Sequence, residues 1–224
     1  MNLLHATHLA HLAIILSQLY YSLATGQEQN IRQIQLSQSQ PHQHPQEEIT
    51  SFFVGSLMLM NEGTIKMSEF AAEKSSNDEI VAFAKKLSEG HKDLNEKLQA
   101  LAPQIAQMLE IGKKEYATGF RGTNSGKTFS DNSSLGKVLK IQKRASEIYQ
   151  QSSNKMIESY EGQDFDMAFL GMQIGAHTWA MAELKAMESV GSPHFQQIVE
   201  DSKSKIQQHL EEAQRLSNKF EDDK

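Results

Sequence analysis

No cysteine occurs anywhere in the 224 residues of this chain. Its absence excludes disulfides, thiolate metal sites, a cysteine nucleophile and a lipid attached to an N-terminal cysteine. No Gly-x-Ser-x-Gly sequence is present either, so the nucleophile elbow of a serine hydrolase is missing. We therefore predict no catalytic residue, and any metal site must use His, Asp or Glu.

A basic block with interleaved aromatic residues is also lacking. The chain carries 28 acidic and 22 basic residues, for a net charge of −6, and nucleic acid is therefore not an expected partner. Hydrophobic residues make up 38% of the chain and charged residues 22%. This composition is typical of one soluble globular domain with a sizeable core.

The first 27 residues contain no Asp, Glu, Lys or Arg, and a mostly apolar run extends from Leu9 to Leu23. This pattern predicts a secretory signal peptide over residues 1–24, although the first basic residue is only Arg32. The apolar run is interrupted by His11 and is shorter than the roughly 20 residues of a membrane span. We expect no transmembrane span after cleavage, and a periplasmic or cell-envelope location.

Residues 25–46 form a polar segment rich in glutamine and histidine. Such a segment cannot bury enough apolar surface to offset its ordering entropy, so it predicts a disordered linker. The remaining residues, 47–224, are expected to form the folded domain.

The folded domain shows apolar residues at spacings of three and four, which predicts amphipathic helices. The expected helices cover about residues 48–74, 76–101, 135–160, 164–190 and 193–216. We expect a capping box at Ser76–Glu79, an N-cap at Asp164, and a tight turn at Gly191, Ser192 and Pro193. No alternating strand pattern appears, so the predicted fold class is all-α, an antiparallel four- or five-helix bundle.

Residues 110–134 are rich in Gly, Ser, Thr and Asn and predict a long internal loop. They include GTNSGKT, which is close to a phosphate-binding loop. That motif requires a glycine where this chain has Arg121, and no apolar strand precedes it. We therefore expect no nucleotide binding.

Three of the nine histidines, His91, His177 and His209, each occupy an apolar seam on a different predicted helix. His177 lies 14 residues before Gly191 and His209 lies 18 after it. In a tight hairpin their heights would differ by about one turn, roughly 6 Å.

Two interpretations of these histidines remain open. Three neutral imidazoles could bind zinc, copper or iron, with Glu183 as a fourth ligand. Alternatively, the histidines form a core network with one another, with water, or with Thr64, Ser202 or Gln173. A di-iron carboxylate site is not expected, because such bundles use Glu-x-x-His pairs, whereas the residues three before each histidine are Ser88, Ile174 and Ile206.

The folded domain also resembles the domain of unknown function 4142 family of exported bacterial proteins, which are regarded as ferritin-like. The resemblance is carried by FAAEKSSNDEIVAFAKKLSEGHKDLN at 70–95, FDMAFLGMQIGAHTWAMAEL at 165–184 and KIQQHLEEAQRL at 205–216. The family pattern has histidines matching His91, His177 and His209, but Asp-His where this chain has Gly90-His91 and Ala176-His177.

The resemblance implies a ferritin-like bundle and export, and it brings no established activity. We therefore expect a non-catalytic binding or protein-interaction module of the cell envelope, with a protein partner or a second copy of the chain as its ligand. The alternative is a bundle that binds a transition metal through the three seam histidines.

Overall fold

The structure is a computed structural model that describes residues 44–111 and 133–222. Its helices are α1 His44–Lys74, α2 Asp78–Leu101, α3 Pro103–Leu109, α4 Ser134–Glu158, α5 Gly162–Ala186 and α6 Pro193–Asp222. Within these residues there is no strand, which confirms the predicted all-α class. None of the described helices is long and apolar enough to cross a bilayer. The predicted signal peptide, most of the linker and GTNSGKT lie outside the described residues.

Two helical hairpins build the bundle. The α1 and α2 helices pair with each other, α5 and α6 form the second pair, and α2 lies against α6 to join the hairpins. The α4 helix packs mainly on α1, with smaller contacts to α3 and α5. The predicted antiparallel bundle of four or five helices is therefore confirmed.

The interior contains two separate apolar clusters. In α1, one cluster includes residues up to Leu59 and the other begins at Met67. The α2, α5 and α6 helices show the same division, because each has a stretch near its middle that contributes no residue to the buried core of either cluster. Those stretches contain the three seam histidines, one on each helix. A polar layer thus separates the two apolar halves of the core.

Several helix ends differ from the predicted ones. The N-cap of α2 is Asn77 rather than Ser76, because the Asn77 side chain accepts hydrogen bonds from the backbone N–H groups of Glu79 and Ile80. The predicted N-cap at Asp164 is wrong, since α5 already begins at Gly162. The α1 helix begins at His44, four residues before the predicted start.

The turn between α5 and α6 matches its prediction in part. The α5 helix ends at Ala186 with Met187 as its C-cap, four residues before the predicted end at 190, so Gly191 is not the glycine that directly follows the cap. Gly191 adopts φ 82°, a left-handed conformation that glycine reaches without steric cost. The Ser192 hydroxyl accepts a hydrogen bond from the Phe195 backbone N–H at 3.2 Å, and Pro193 is the first residue of α6. These three residues reverse the chain and set the register of the second hairpin.

We predict that Gly191→Ala lowers the free energy of unfolding by about 1–2 kcal/mol. A Cβ atom there would lie 2.8 Å from Phe195 Cδ1 and 2.8 Å from Thr50 Oγ1. Gly171→Ala is the matched control, because its Cβ would meet nothing within 4 Å and alanine favours a helix by up to about 1 kcal/mol over glycine. Urea unfolding measures both variants, and a Gly191→Ala protein as stable as the parent would contradict the prediction.

Candidate metal centre

The three seam histidines come together in the interior of the bundle. His91 on α2, His177 on α5 and His209 on α6 each place one ring nitrogen within 4.8 Å of the other two. Their ring centroids are 5.3, 5.4 and 5.5 Å apart. All three side chains are buried, with 3%, 1% and 2% of their surface exposed. The two hairpins thus contribute to one histidine cluster.

A chain of hydrogen bonds fixes the tautomer of His91. The Asn95 side-chain amide donates to the Met58 carbonyl oxygen at 3.4 Å. The Asn61 amide in turn donates to Asn95 Oδ1 at 2.9 Å. Asn61 Oδ1, 2.8 Å from His91 Nδ1, is therefore left as an acceptor. Because the Met58 carbonyl can only accept, His91 carries its proton on Nδ1 and a lone pair on Nε2.

His177 is held in the same tautomer by its own helix. Its Nδ1 lies 2.8 Å from the backbone carbonyl oxygen of Gln173, one turn earlier, and a carbonyl oxygen accepts only. His177 Nε2 therefore also carries a lone pair. The two Nε2 atoms of His91 and His177 are only 3.3 Å apart, so two electron pairs face each other without a proton between them.

His209 completes the cluster from the other side. Its Nδ1 is buried and has no hydrogen-bond partner among the described residues. The Cε1–Nε2 edge of the ring lies against α2, where a Cβ at position 90 would be 2.9 Å from His209 Cε1 and 3.0 Å from Nε2. Gly90 thus provides the space that His209 occupies.

The surroundings keep all three imidazoles neutral. Burial lowers the pKa of His91 well below its ordinary value, and the neighbouring histidines and Lys205 lower it further. Burial lowers the pKa of His177 to about 4, against a smaller opposite effect of its bond to Gln173. Burial, His177 and two lysines lower the pKa of His209 to about 3. Neutral imidazole is the form that binds metals.

Glu183, the carboxylate considered as a fourth ligand, is not among the residues whose ligand atoms come together. It is half-buried. Burial raises its pKa to about 7, and a hydrogen bond from the Trp179 side chain partly opposes that shift. Trp179 itself is 44% exposed, so the core does not fully cover the face of α5 that carries Trp179 and Glu183.

Sequence reasoning missed the asparagine pair and proposed other partners. Thr64 and Ser202 do not contact the histidines through the bonds expected, because their hydroxyls donate to the carbonyl oxygens of Met60 and Ile198 in their own helices. Asn61 and Asn95 were detectable in principle, since each is a polar residue on an otherwise apolar seam. Asn61 lies four residues after Leu57, and Asn95 lies four after His91.

The geometry of the cluster fits a transition-metal ion. Imidazole nitrogens lie about 2.0–2.1 Å from zinc, so two nitrogens of a tetrahedral site are roughly 3.3–3.4 Å apart. The His91 and His177 Nε2 atoms are already at 3.3 Å. The unpartnered Nδ1 of His209 adds a buried nitrogen that lacks a proton donor or acceptor. The donor set is three neutral nitrogens, which suits zinc or copper.

In the metal-free protein, we predict that the free energy of unfolding falls as pH drops from about 6.5 to 4.5. Each histidine takes up a proton only when unfolded, which costs about 1.4 kcal/mol of stability per pH unit. Glu183 has a raised pKa in the folded protein. Over this pH range it binds its proton in the folded protein but not in the unfolded chain, so it offsets the loss of stability by about 1.4 kcal/mol per pH unit.

The expected net loss is about 3 kcal/mol per pH unit. Urea unfolding in the presence of a chelator, at a series of pH values, measures it. A stability that stays level over this range would mean that the histidines are protonated in the folded protein.

Comparison with known proteins identifies a family and assigns no activity. No curated protein and no solved structure matches the chain. The profile of one family, described as Domain of unknown function (DUF4142), matches residues 35–216. That match includes all three histidines and the asparagine pair that orients His91. Since it covers most of the sequence, the chain belongs to the DUF4142 family.

Proposed function

We propose that this protein binds one transition-metal ion in the middle of its bundle, through His91, His177 and His209. The observation that carries the proposal is the pair of Nε2 lone pairs that face each other at 3.3 Å. Both rings are held with Nδ1 protonated, by Asn61 and by the Gln173 carbonyl. A cation between the nitrogens would satisfy both lone pairs.

The other interpretation, a core network, has two forms. In the first, a buried water molecule donates a hydrogen bond to each Nε2 atom, and the metal analysis below distinguishes that water from an ion. The second, a network of the histidines alone, accounts for the geometry less well. A hydrogen bond between His91 and His177 needs one proton on an Nε2 atom. Supplying that proton would either charge a ring whose pKa is lowered by burial or break a bond made by Nδ1. His209 Nδ1 would still lack a partner. A metal ion removes both difficulties at once.

The proposed role is holding the ion rather than catalysis with it. Catalytic zinc sites keep one position open to water or substrate, whereas the three side chains here are at most 3% exposed. All ligands are neutral, and Lys205 adds a positive charge near His91 and His209. A singly charged ion therefore suits the layer best, which makes copper(I) the first ion to test. Zinc, which three histidines also bind, is the second.

We predict about one equivalent of metal in protein purified without a chelator, and a loss of at least tenfold in metal content in His177→Ala. The variant loses one of three ligands, and the remaining two hold an ion weakly. Inductively coupled plasma mass spectrometry measures the content. His194→Ala is the matched control, because His194 lies exposed in the first turn of α6 and should leave the content unchanged.

A second variant covers the case in which His177→Ala does not fold. Asn61→Ala keeps all three ligands but removes the acceptor that orients His91. Loss of such a supporting bond lowers metal affinity by about 10–100-fold. Absence of bound zinc, copper or iron from the folded parent, after incubation with each ion and desalting, would exclude the proposal and leave the histidines as a core network.

We also propose that residues 1–24 are removed on export and that the bundle works in the periplasm or cell envelope. The charge-free, apolar start of the sequence supports this. Intact mass measurement of protein from the periplasmic extract of a bacterial host is expected to show a chain that begins at Thr25. Full-length protein confined to the cytosol would contradict it.

A further inference from the structure

The outer face of α4 exposes an unusual number of large apolar side chains. Val138, Ile141, Ile148 and Tyr149 are 43%, 69%, 49% and 48% exposed. Only two other large apolar residues in the described part of the chain are exposed, and they lie on other helices. At 100° per residue, these four positions fall within about one third of the helix circumference. They form a continuous band, and such bands mark interaction surfaces.

Basic residues border this apolar band. Lys137 lies four positions before Ile141 and Arg144 lies three after it, so both adjoin Ile141 on the helix surface, and both are exposed together with Lys140. The α4 helix carries five basic and two acidic residues, a net charge of 5 − 2 = +3. The whole chain has −6, so everything outside α4 sums to −9. The helix is a basic element on an acidic protein.

The acidic groups nearest to the band are already paired. Glu147 lies 2.7 Å from the half-buried Lys143 and 3.6 Å from Arg144, while Glu110 lies 3.7 Å from Lys143. Lys143 therefore forms ion pairs with both carboxylates, on the side of the band that faces the protein. Beside these two carboxylates, α4 places four basic residues, Lys137, Lys140, Lys143 and Arg144, so this region keeps a net charge of 4 − 2 = +2.

We infer that the outer face of α4 binds the surface of an anionic lipid bilayer. Helices with an apolar stripe beside Lys and Arg lie in the bilayer interface, where the apolar residues insert and the basic residues meet anionic headgroups. In α4, the aliphatic side chains of the band would insert into the bilayer, and the basic residues beside the band would contact the anionic headgroups. The charge of the face is the complement of an anionic leaflet.

Two other occupants fit this face less well. A second copy docked antiparallel through α4, about a two-fold axis perpendicular to the helix, would bring the two basic borders against each other, which is electrostatically unfavourable. Single-stranded nucleic acid requires aromatic side chains on which bases stack, and Tyr149 is the one exposed aromatic residue on this helix. The site is also independent of the proposed metal, because α4 packs mainly on α1 and supplies no member of the histidine cluster.

The test measures binding of the full chain to vesicles of phosphatidylcholine alone and of phosphatidylcholine mixed with phosphatidylglycerol. Residues 1–27 carry no charged side chain, and the charge of the N-terminal amine is the same in every variant, so differences between variants report on α4. The readout is therefore the ratio of the two affinities. Each exposed Lys or Arg strengthens binding to an anionic surface about fivefold, so we expect the parent to prefer anionic vesicles by at least tenfold.

Two variants separate the basic border from the apolar band. Lys137→Glu with Arg144→Glu is expected to abolish the preference for anionic vesicles. Ile141→Ser is expected to weaken binding to them about fivefold, through loss of inserted apolar surface. All three side chains are exposed, so the fold should be retained, and circular dichroism checks this.

Matched control variants carry the same kinds of substitution on other helices. Lys66→Glu with Lys97→Glu alters the net charge equally, at side chains that are 49% and 48% exposed on α1 and α2. Ile49→Ser replaces an isoleucine that is 47% exposed on α1. Both controls should bind within twofold of the parent. Equal loss in controls and α4 variants, no preference for anionic vesicles, or α4-dependent dimers without lipid binding would each overturn the inference.

Discussion

The structure depends on the burial of three neutral imidazoles at one level of an apolar core. Removing polar groups from water is costly unless each finds a partner. This chain meets that requirement for His91 with a hydrogen-bond chain through Asn61 and Asn95 that ends on the Met58 carbonyl. The two apolar clusters above and below the layer contain ordinary packed residues. The layer between them distinguishes this bundle, because its hydrogen bonds fix the orientation and the tautomer of His91 and His177.

Local sequence signals predicted the elements well, whereas contacts between distant segments were predictable only in part. The spacing of apolar residues predicted the helices, and Gly191, Ser192 and Pro193 predicted the second hairpin, because these effects act within a few residues. Counting residues from that turn also placed His177 and His209 at similar heights. The partner of His91 was not predictable in this way, since Asn61 is 30 positions away and belongs to the other helix of its hairpin.

The α4 helix illustrates the same limit on the surface. A search along the chain for a run of basic residues finds none, because the lysines and Arg144 are interleaved with aliphatic residues. Their common face becomes visible once the packing of α4 on α1 shows which residues point outward. The protein then has two chemically distinct regions: a buried, neutral nitrogen cluster between the hairpins and a basic, partly apolar surface on the peripheral helix. Each can change without altering the other.

The distribution of the histidines over two hairpins has a consequence for how the chain folds. Each hairpin is made of contacts between neighbouring segments, which form early because little chain entropy is lost. His91 and His177 are 86 positions apart and meet only when the hairpins dock and expel water from the layer. The cluster is therefore absent from states that precede docking. Interactions that form only after docking slow unfolding and leave the folding rate almost unchanged, so an ion bound at this layer would act on the unfolding rate of the assembled bundle.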